Sequence, residues 1–411
     1  MTATISASPV PVAPEDRRAR IAVALLFLTN GAVPANLIPR YPAIVASLEP
    51  TNAEFGLAVA AGPLGALSSG LLAGMLIRRF RSSRVAVACM VASSVCVLLA
   101  GVSPMLVLLG AALFMVGALD SVADVAQNSH GLRVQRRYGR SILNSFHAIW
   151  SVGAMLGGLM GGAAAGLGIP PGLHLAASAL VFSLVNLLCY RFLLAGPEPT
   201  RVEGEAAVQD EAASGTRAAA RLGTYAILLA LGMIAVSGSL VEDSGGTWAA
   251  LYLSGSLGAA PTVAALGFVA LAGMQFVGRI IGDGLVDRFG QRAVARVGGA
   301  TTALGMGLAL VFPTIGGTII GFGLAGLGIA TLAPAAMHTA DQLPGLRSGS
   351  GLTMLSWLMR LGFLLSPPVV GLVADATALR YGLVVVPLAG LVAVVLSGFL
   401  PTRSTPEARR S

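Results

Sequence analysis

Charged residues are scarce in this sequence. They make up 11% of the 411 residues, and no lysine occurs, so all 26 residues counted as Lys or Arg are arginines. Soluble domains carry about 25% charged residues, whereas this chain is 55% hydrophobic with a mean hydropathy of +0.82. The composition excludes an ordinary soluble domain and predicts an integral membrane protein.

Cysteine is nearly absent as well. Cys89, Cys96 and Cys189 each lie inside an apolar run, with no histidine or second cysteine at ligand spacing. This pattern argues against a disulfide framework and against a metal site. The sequence also has no nucleophile triad and no glycine-rich phosphate loop ending in Lys-Ser or Lys-Thr. We therefore predict no enzymatic activity, no cofactor and no metal.

The net charge of +8 comes from arginines in short connections between apolar runs, such as "RRFRSSR" and "RVQRRYGR". The alternate connections, such as "GVSP", have no positive charge. This alternation is typical of a multi-pass membrane protein with its basic loops in the cytoplasm. It predicts that both termini are cytoplasmic and that the arginines do not serve a nucleic-acid partner.

Twelve apolar runs are long enough to cross a hydrocarbon layer of roughly 30 Å. They lie near 20–46, 54–77, 84–102, 105–129, 141–167, 172–194, 222–253, 262–284, 293–312, 316–340, 351–375 and 380–400. We predict a disordered cytoplasmic tail over 1–18, an N-terminal six-helix bundle over 19–195, a cytoplasmic linker over 196–221, a C-terminal six-helix bundle over 222–401 and a cytoplasmic tail over 402–411.

The two halves resemble each other. "GLLAGMLIRRFRSSR" aligns with "RIIGDGLVDRFGQR" at an offset of about 209 residues, and the same offset aligns "GAMLGGLMGG" with "GFLLSPPVVG". In this register Arg81 stands where the second half has Gly290. Parallel repeats predict a binding site between the halves near the bilayer midplane. Predicted helices 3, 6, 9 and 12 carry no acidic residue, so we expect them at the rim.

The segment "GDGLVDRFGQR" over 282–292 resembles the signature loop between helices 8 and 9 of the major facilitator superfamily of secondary transporters. "DVAQNSHG" on predicted helix 4, with "NSFHAIWSVGA" on predicted helix 5, resembles the fucose-permease-like branch of that superfamily. The resemblance implies an all-α fold of twelve transmembrane helices in two pseudo-symmetric six-helix bundles. It also implies a monomer in a bacterial cytoplasmic (inner) membrane.

Predicted helix 4 carries polar residues along one stripe. Asp120, Asp124, Gln127 and Asn128 lie within an arc of about 100° at 100° per residue. Burial favours the neutral form of a carboxylic acid, while a nearby cation favours the charged form, so a buried acid can exchange a proton. The family resemblance implies Asp124 as the protonatable acid and Asn128 as its polar neighbour. We predict proton coupling at Asp124, Asp120 and His147; the alternative is an Asp124 that only bonds neighbouring helices.

Predicted helix 11 contains Arg360 well inside an apolar run, where an arginine must find an anion. One interpretation pairs Arg360 with Asp124 or Asp120 in one state and with an anionic or polyhydroxyl substrate in another. The alternative is a permanent structural ion pair. The full set of predicted substrate contacts is Asn30, Asn36, Asn128, Asn144, Trp150, Gln275, Trp357 and Arg360.

Charges near the outer ends of predicted helices 1 and 7 suggest a gate. Arg40 and the pair Glu242 and Asp243 occur at corresponding depths, so we predict an ion pair that closes the outer side; the alternative is ordinary interface charges. In the signature loop we predict gating roles for Asp287, Arg288 and Arg292.

Two functional classes follow. The first is a proton-coupled transporter of a sugar-like or other small polar solute. The second is a proton-driven efflux transporter for a drug-like compound or secondary metabolite. The glycines from Gly153 to Gly162 on predicted helix 5 resemble an antiporter motif, with Gly158 at its proline position; the alternative is helix packing. The expected partners are a small-molecule substrate, protons and the lipid bilayer.

Overall fold

A computed structural model describes residues 13–139, 142–196, 217–343 and 350–402. Within these ranges the chain is helical and forms no strand. Eleven helices are long and apolar enough to cross a membrane, and one bent pair supplies a twelfth span. In chain order the spans are α1 (Pro14–Leu48), α2 (Asn52–Ser69 with Leu72–Phe80), α3 (Ser82–Gly101), α4 (Leu106–Tyr138), α5 (Leu143–Gly166), α6 (Pro171–Tyr190), α7 (Thr224–Ser256), α8 (Pro261–Phe289), α9 (Gln291–Val311), α10 (Ile315–Asp341), α11 (Ser350–Ala376) and α12 (Leu379–Phe399).

Helix α1 begins earlier than the sequence predicts. Pro14 is its first residue, and Glu15 and Asp16 lie in its first turn. A proline at the first helical position and acidic side chains near the helix N-terminus both favour a start here. Arg137 of α4 forms ion pairs with Glu15 and Asp16. Residues 14–18 of the predicted tail are therefore helical, while 1–12 lie outside the described residues.

The other predicted domain boundaries fall next to regions outside the described residues. The helix that contains α7 begins at Arg217, inside the range assigned to the linker. Residues 197–216 and 403–411 are not described. The linker and the C-terminal tail therefore remain predictions.

Several spans are broken near their middle. In α1 the regular helix ends at Ala35, after Pro34, and the 3-10 turn Ile38–Arg40 follows. Proline lacks the N–H group that a helix interior requires, which explains the break. The two parts of α2 meet at an angle of 61°. Such breaks rotate the side chains that follow them away from the direction expected of a straight helix.

The backbone supports the internal repeat inferred from the sequence. Arg81, after α2, has a φ of 75°, and Gly290, after α8, has a φ of 83°. Their N–H groups donate to Ile77 and Val286 at 2.8 Å each, in the same capping geometry. Positive φ favours glycine, so Arg81 holds a conformation that its repeat partner adopts without a side-chain penalty.

Helix packing follows the same repeat. In the N-terminal half α1 packs on α5, α2 on α4, α3 on α4 and α3 on α6. In the C-terminal half α7 packs on α11, α8 on α10, α9 on α10 and α9 on α12. The main contacts between the halves join α2 to α11 and α5 to α8, which are equivalent pairs. Helices α3, α6, α9 and α12 are not among the main contacts between halves, as expected of a rim.

The halves meet at one end of the bundle. We call the end where α1 begins and α12 stops the terminal side, and the opposite end the distal side. Near the distal side of α2, a side chain on Gly56 would lie 2.4 Å from the carbonyl oxygen of Pro367 on α11. Only glycine permits this approach of two backbones. The distal side is closed by such contacts.

The glycines of α5 divide between two neighbours. A Cβ on Gly153 or Gly157 would lie 2.0 or 2.4 Å from a carbonyl oxygen of α1. On the other face, a Cβ on Gly158 or Gly162 would lie 3.0 or 2.5 Å from side chains of α8. Helix packing therefore accounts for the spacing of this motif.

Candidate functional site

A cavity of about 230 Å³ lies between the two halves. Its walls come from α1, α2, α3 and α4 on one side and from α7 on the other. Asp120 of α4 and Asp243 of α7 are the charged residues among those that line it, and most other lining side chains are apolar. The cavity thus places one carboxyl group from each half in a largely apolar space.

Asp120 is held by a chain of hydrogen bonds. Asn30 of α1 donates from Nδ2 to Asp120 Oδ1 at 2.8 Å, and Trp150 of α5 donates from Nε1 to Asn30 Oδ1 at 2.7 Å. The indole N–H can only donate, so it fixes the orientation of the Asn30 amide. This chain brings together three of the predicted site residues and joins α1, α4 and α5.

On the opposite wall, Asp243 has an unsatisfied oxygen. Its Oδ2 is buried and has no hydrogen-bond partner within the described part of the chain. The neighbouring Glu242 accepts a hydrogen bond from Gln275 Nε2 of α8 at 2.9 Å. Tyr41 and Thr247 line the cavity beside Asp243. The sequence predicted a gating role for Asp243, whereas its position is in the central cavity.

The predicted ion pair of Arg40 with Glu242 or Asp243 is wrong for this conformation. The Arg40 Nη2 donates to the carbonyl oxygen of Ile169, in the connection between α5 and α6. Its Nε and Nη1 are buried without a partner among the described residues. The 3-10 turn that ends at Arg40 directs the side chain toward its own half.

Asp124 lies one turn from Asp120 toward the terminal side and is exposed. Asn128 Nδ2 donates to Asp124 Oδ1 at 2.8 Å, and His147 Nε2 lies 3.1 Å from Asn128 Oδ1. Since the Asn128 amide N–H is used on Asp124, its oxygen accepts from the imidazole. The sequence predicted Asn128 as the polar neighbour of Asp124 and His147 as a proton-coupling residue, and this geometry places all three side chains in one hydrogen-bonded chain.

Two arginines of the C-terminal half lie near this group. Arg360 of α11 is close enough to Asp124 to interact with it electrostatically, and Arg279 of α8 is similarly close to His147. Arg360 forms no ion pair with another described residue, and its Nη1 donates to the carbonyl oxygen of Ala66 on α2 at 3.2 Å. The predicted pairing of Arg360 with Asp124 or Asp120 is therefore absent in this conformation. We call Asp124, Asn128, His147, Arg279 and Arg360 the vestibule.

Sequence reasoning missed Arg279. It lies in the apolar stretch "FVGRIIG", only a few residues before the signature loop. An arginine inside an apolar span is itself a signal for a cavity. The same criterion that selected Arg360 would have selected Arg279.

Other predicted residues lie away from the cavity. Gln127 is 0% exposed, and neither polar atom of its amide has a partner in the described ranges, so it does not share the stripe of Asp120 and Asp124. Asn36 is buried inside its own half, where its Oδ1 accepts from His174 Nε2 at 3.0 Å. Asn144 is exposed at the terminal end of α5, and Trp357 is 49% exposed on α11.

The signature loop is anchored within its own half. Arg292 donates from Nε to the carbonyl oxygen of Leu400 at 2.9 Å, and its N–H donates to Pro401 at 3.2 Å. The guanidinium of Arg288 stacks on the Phe289 ring at 5.3 Å, and Asp287 is exposed. In this conformation Arg292 ties α9 to the end of α12, and its gating role remains a prediction.

Known proteins with similar sequences are membrane transporters. The model of the Major Facilitator Superfamily matches residues 228–411. The chain is 30% identical over 374 residues to the uncharacterized transporter y4wD of Sinorhizobium fredii, covering 91% of this chain and 96% of that protein. It is 29% identical to the membrane protein MosC of Rhizobium meliloti over 380 residues, which cover 92% of this chain and 89% of that protein.

Solved structures agree on the fold. A bacterial homolog of the human lysosomal transporter Spinster, in an inward-facing and occupied conformation, matches with a TM-score of 0.74 at 14% identity, covering 95% of this chain and 97% of that chain. A D-xylose-proton symporter matches with a TM-score of 0.71 at 15% identity, covering 94% of this chain and 98% of that chain.

The fold and the central cavity define a multi-pass membrane transporter rather than an enzyme. The chain belongs to the major facilitator superfamily. The predicted fold class of two six-helix bundles is confirmed. Membership of the fucose-permease-like branch stays a prediction.

Proposed function

We propose that this chain is a proton-coupled secondary transporter that moves a small solute across a bacterial cytoplasmic membrane by alternating access. The observation that carries the proposal is the pair Asp120 and Asp243, one from each half, in the cavity between the halves. A buried carboxylate without a cationic partner is costly. A proton or a bound solute can remove this cost, which couples the occupancy of the cavity to its protonation.

Alternating access is supported by where the halves touch. Close backbone contacts join α2 to α11 at the distal side, while Asp124 near the terminal side is exposed. With both termini in the cytoplasm, this arrangement corresponds to an inward-open state. Rocking of the halves about the cavity would separate α2 from α11 and expose the cavity to the other side.

The vestibule supplies a path for the proton. Asp124 lies one turn from Asp120, and the chain from Asp124 through Asn128 to His147 leads toward the open terminal side. In this proposal Asp120 and Asp243 hold the proton in the cavity and Asp124 exchanges it with the cytoplasm. Asn30 and Trp150 orient Asp120.

A second candidate function is proton-driven efflux of a drug-like compound or secondary metabolite. The observation that favours it is the cavity lining, in which apolar side chains such as Leu37, Val59 and Val116 predominate. A sugar would need more hydrogen-bonding partners than this wall offers. Both functions use the same two carboxyl groups, so they differ in the solute and in the direction of coupling.

The test begins with the purified full chain in detergent. A thermal-unfolding screen against sugars, sugar acids, amino acids, amines and lipophilic drugs identifies binders, because a ligand of the folded state raises its apparent stability. A binder is then followed in proteoliposomes with an imposed pH gradient. Gradient-driven accumulation or expulsion supports proton coupling. Transport of the binder at a rate that does not depend on the pH gradient would contradict proton coupling.

A further inference from the structure

The charges that line the cavity are of one sign. Asp120 and Asp243 are its charged residues, and no arginine or histidine is among the described residues of its wall. The nearest candidates for a counter-charge point elsewhere. Arg40 donates to Ile169, and Arg360 donates to Ala66 at the edge of the vestibule. Among the residues that the structure describes, the cavity wall therefore has two acids and no cation.

Both carboxyl groups have unused acceptor positions. Asp120 accepts from the neutral amide of Asn30 through Oδ1. The donors close to the Asp243 carboxylate are the neutral hydroxyl groups of Ser366 and Thr247, and its Oδ2 forms no hydrogen bond of good geometry among the described residues. A carboxylate offers about four acceptor sites, and an ammonium group offers three donors and a full positive charge. A protonated amine bound in this cavity would supply donors and a positive charge to the two acids that line it.

The rest of the wall fits the body of such a ligand. Pro34, Leu37, Pro63 and Val116 present apolar surface, and Tyr41 on the α1 wall lies close to Asp243. An aromatic face next to a carboxylate attracts an organic cation. The volume of about 230 Å³ is smaller than the roughly 300–1,000 Å³ typical of drug-sized ligands. The cavity therefore suits a compact amine.

We propose that the solute of this transporter carries a protonated amino group, which binds between Asp120 and Asp243. The proposal rests on the function proposed above and specifies the chemical class of the solute. It differs from the earlier expectation that Arg360 binds an anionic or polyhydroxyl substrate. An anion would have to sit in the vestibule near Arg279 and Arg360, outside the cavity of the two acids.

The experiment compares probes of similar size and carbon skeleton that carry a positive, a neutral or a negative group. Two series are used with the purified full chain at pH 7: glucosamine, glucose and glucuronate, and 2-phenylethylamine, 2-phenylethanol and phenylacetate. We expect at least one of the two amines to raise the unfolding temperature in a concentration-dependent way. Its neutral and acidic analogues should bind at least tenfold more weakly.

Variants then locate the amine. Asp120→Asn and Asp243→Asn should each weaken binding of the active amine at least tenfold, whereas Asp341→Asn, at the exposed terminal end of α10, should not change it. If one of the cavity variants fails to fold, the charge series on the unmodified chain and the remaining variant still decide the question.

Three outcomes would overturn the proposal. A response to the acids without the amines would assign an anion site to Arg279 and Arg360. Equal binding of an amine and its neutral analogue would mean that Asp120 and Asp243 do not select the solute by its charge. A response to none of the six probes would exclude a compact amine. None of these outcomes tests proton coupling. The proposal of proton coupling is contradicted only if an identified solute moves independently of the pH gradient.

Discussion

Asp375, at the distal end of α11, caps the first turn of α2 in the other half of the protein. Its Oδ1 accepts from the N–H and the side-chain amide of Asn52 at 2.8 Å each, and its Oδ2 accepts from the N–H of Ala53 at 2.9 Å. The first N–H groups of a helix lack partners inside the helix, and a carboxylate there is favoured by the helix dipole. Asp375 therefore links the halves on the side where they are closed.

Replacing Asp375 should loosen the distal side. In Asp375→Ala the N–H groups of Asn52 and Ala53 lose their cross-half acceptor, and the cap is exposed, so we expect a cost of roughly 0.5–1 kcal/mol. Such a cost shifts the balance toward distal opening about two- to fivefold. Spin labels at Leu167 and Phe312, which are exposed distal residues of the two halves, should report a larger fraction of long distances by pulsed electron paramagnetic resonance.

Thr377→Val is the matched control for the distal cap. Thr377 follows Asp375 on the same exposed end, and its Oγ1 donates to the carbonyl oxygen of Val373 in its own helix. This variant should leave the distance distribution unchanged. An unchanged distribution in Asp375→Ala itself would mean that the backbone contacts at Gly56 hold the distal side without the cap.

Substitution of the two cavity acids, Asp120 and Asp243, should reduce proton-coupled transport more than solute exchange. In Asp120→Asn or Asp243→Asn the carboxyl group is replaced by an amide of similar shape that cannot bind a proton. For an identified solute we expect gradient-driven transport in proteoliposomes to fall more than tenfold. Exchange of labelled for unlabelled solute without a gradient, measured at saturating solute so that weaker binding does not limit it, should fall less. If gradient-driven transport is unchanged in both variants, Asp120 and Asp243 do not take part in proton coupling.

The Trp150–Asn30 hydrogen bond should stabilise the site. Trp150→Phe removes the indole N–H and leaves Asn30 Oδ1 without its donor at 2.7 Å. A partly buried acceptor left without a partner costs about 1–3 kcal/mol. We expect a lower unfolding temperature in detergent, together with weaker binding at Asp120, because the Asn30 amide is then free to rotate. Trp357→Phe, at a half-exposed indole on α11, should change neither measurement.

The glycines of α5 should stabilise the protein because they allow α5 to pack closely against its neighbours. A Cβ on Gly153 would lie 2.0 Å from the carbonyl oxygen of Leu28, which is backbone and cannot rotate away. Gly153→Ala should therefore destabilise the N-terminal half by about 1–3 kcal/mol, seen as a lower unfolding temperature and a lower yield. Gly284→Ala on α8, with open space around the added methyl group, should be neutral or slightly stabilising. Equal stability of the two variants would contradict a close α1–α5 contact.

The spans and their order can be predicted from the sequence alone. Apolar runs of about twenty residues, basic connections and the offset between the halves predict two six-helix bundles, and the matching backbone at Arg81 and Gly290 agrees with that register. These features are readable because the bilayer penalises charge and unpaired backbone groups wherever they occur along the chain. The neighbourhood of Asp124, Asn128 and His147 was also predictable, since short-range helical spacing on α4 and one packed neighbour define it.

The tertiary structure alone decided which charges meet across the halves. The 3-10 turn before Arg40 directs it to Ile169 and away from Glu242 and Asp243, and α11 places the Arg360 guanidinium against Ala66. Asp243 and Asp120 share a cavity because of the way the two halves pack against each other. Helical periodicity fixes directions only within one unbroken helix. Contacts between side chains of different helices depend on helix kinks and on how the helices pack as rigid bodies. Neither can be inferred from the spacing of residues within one span.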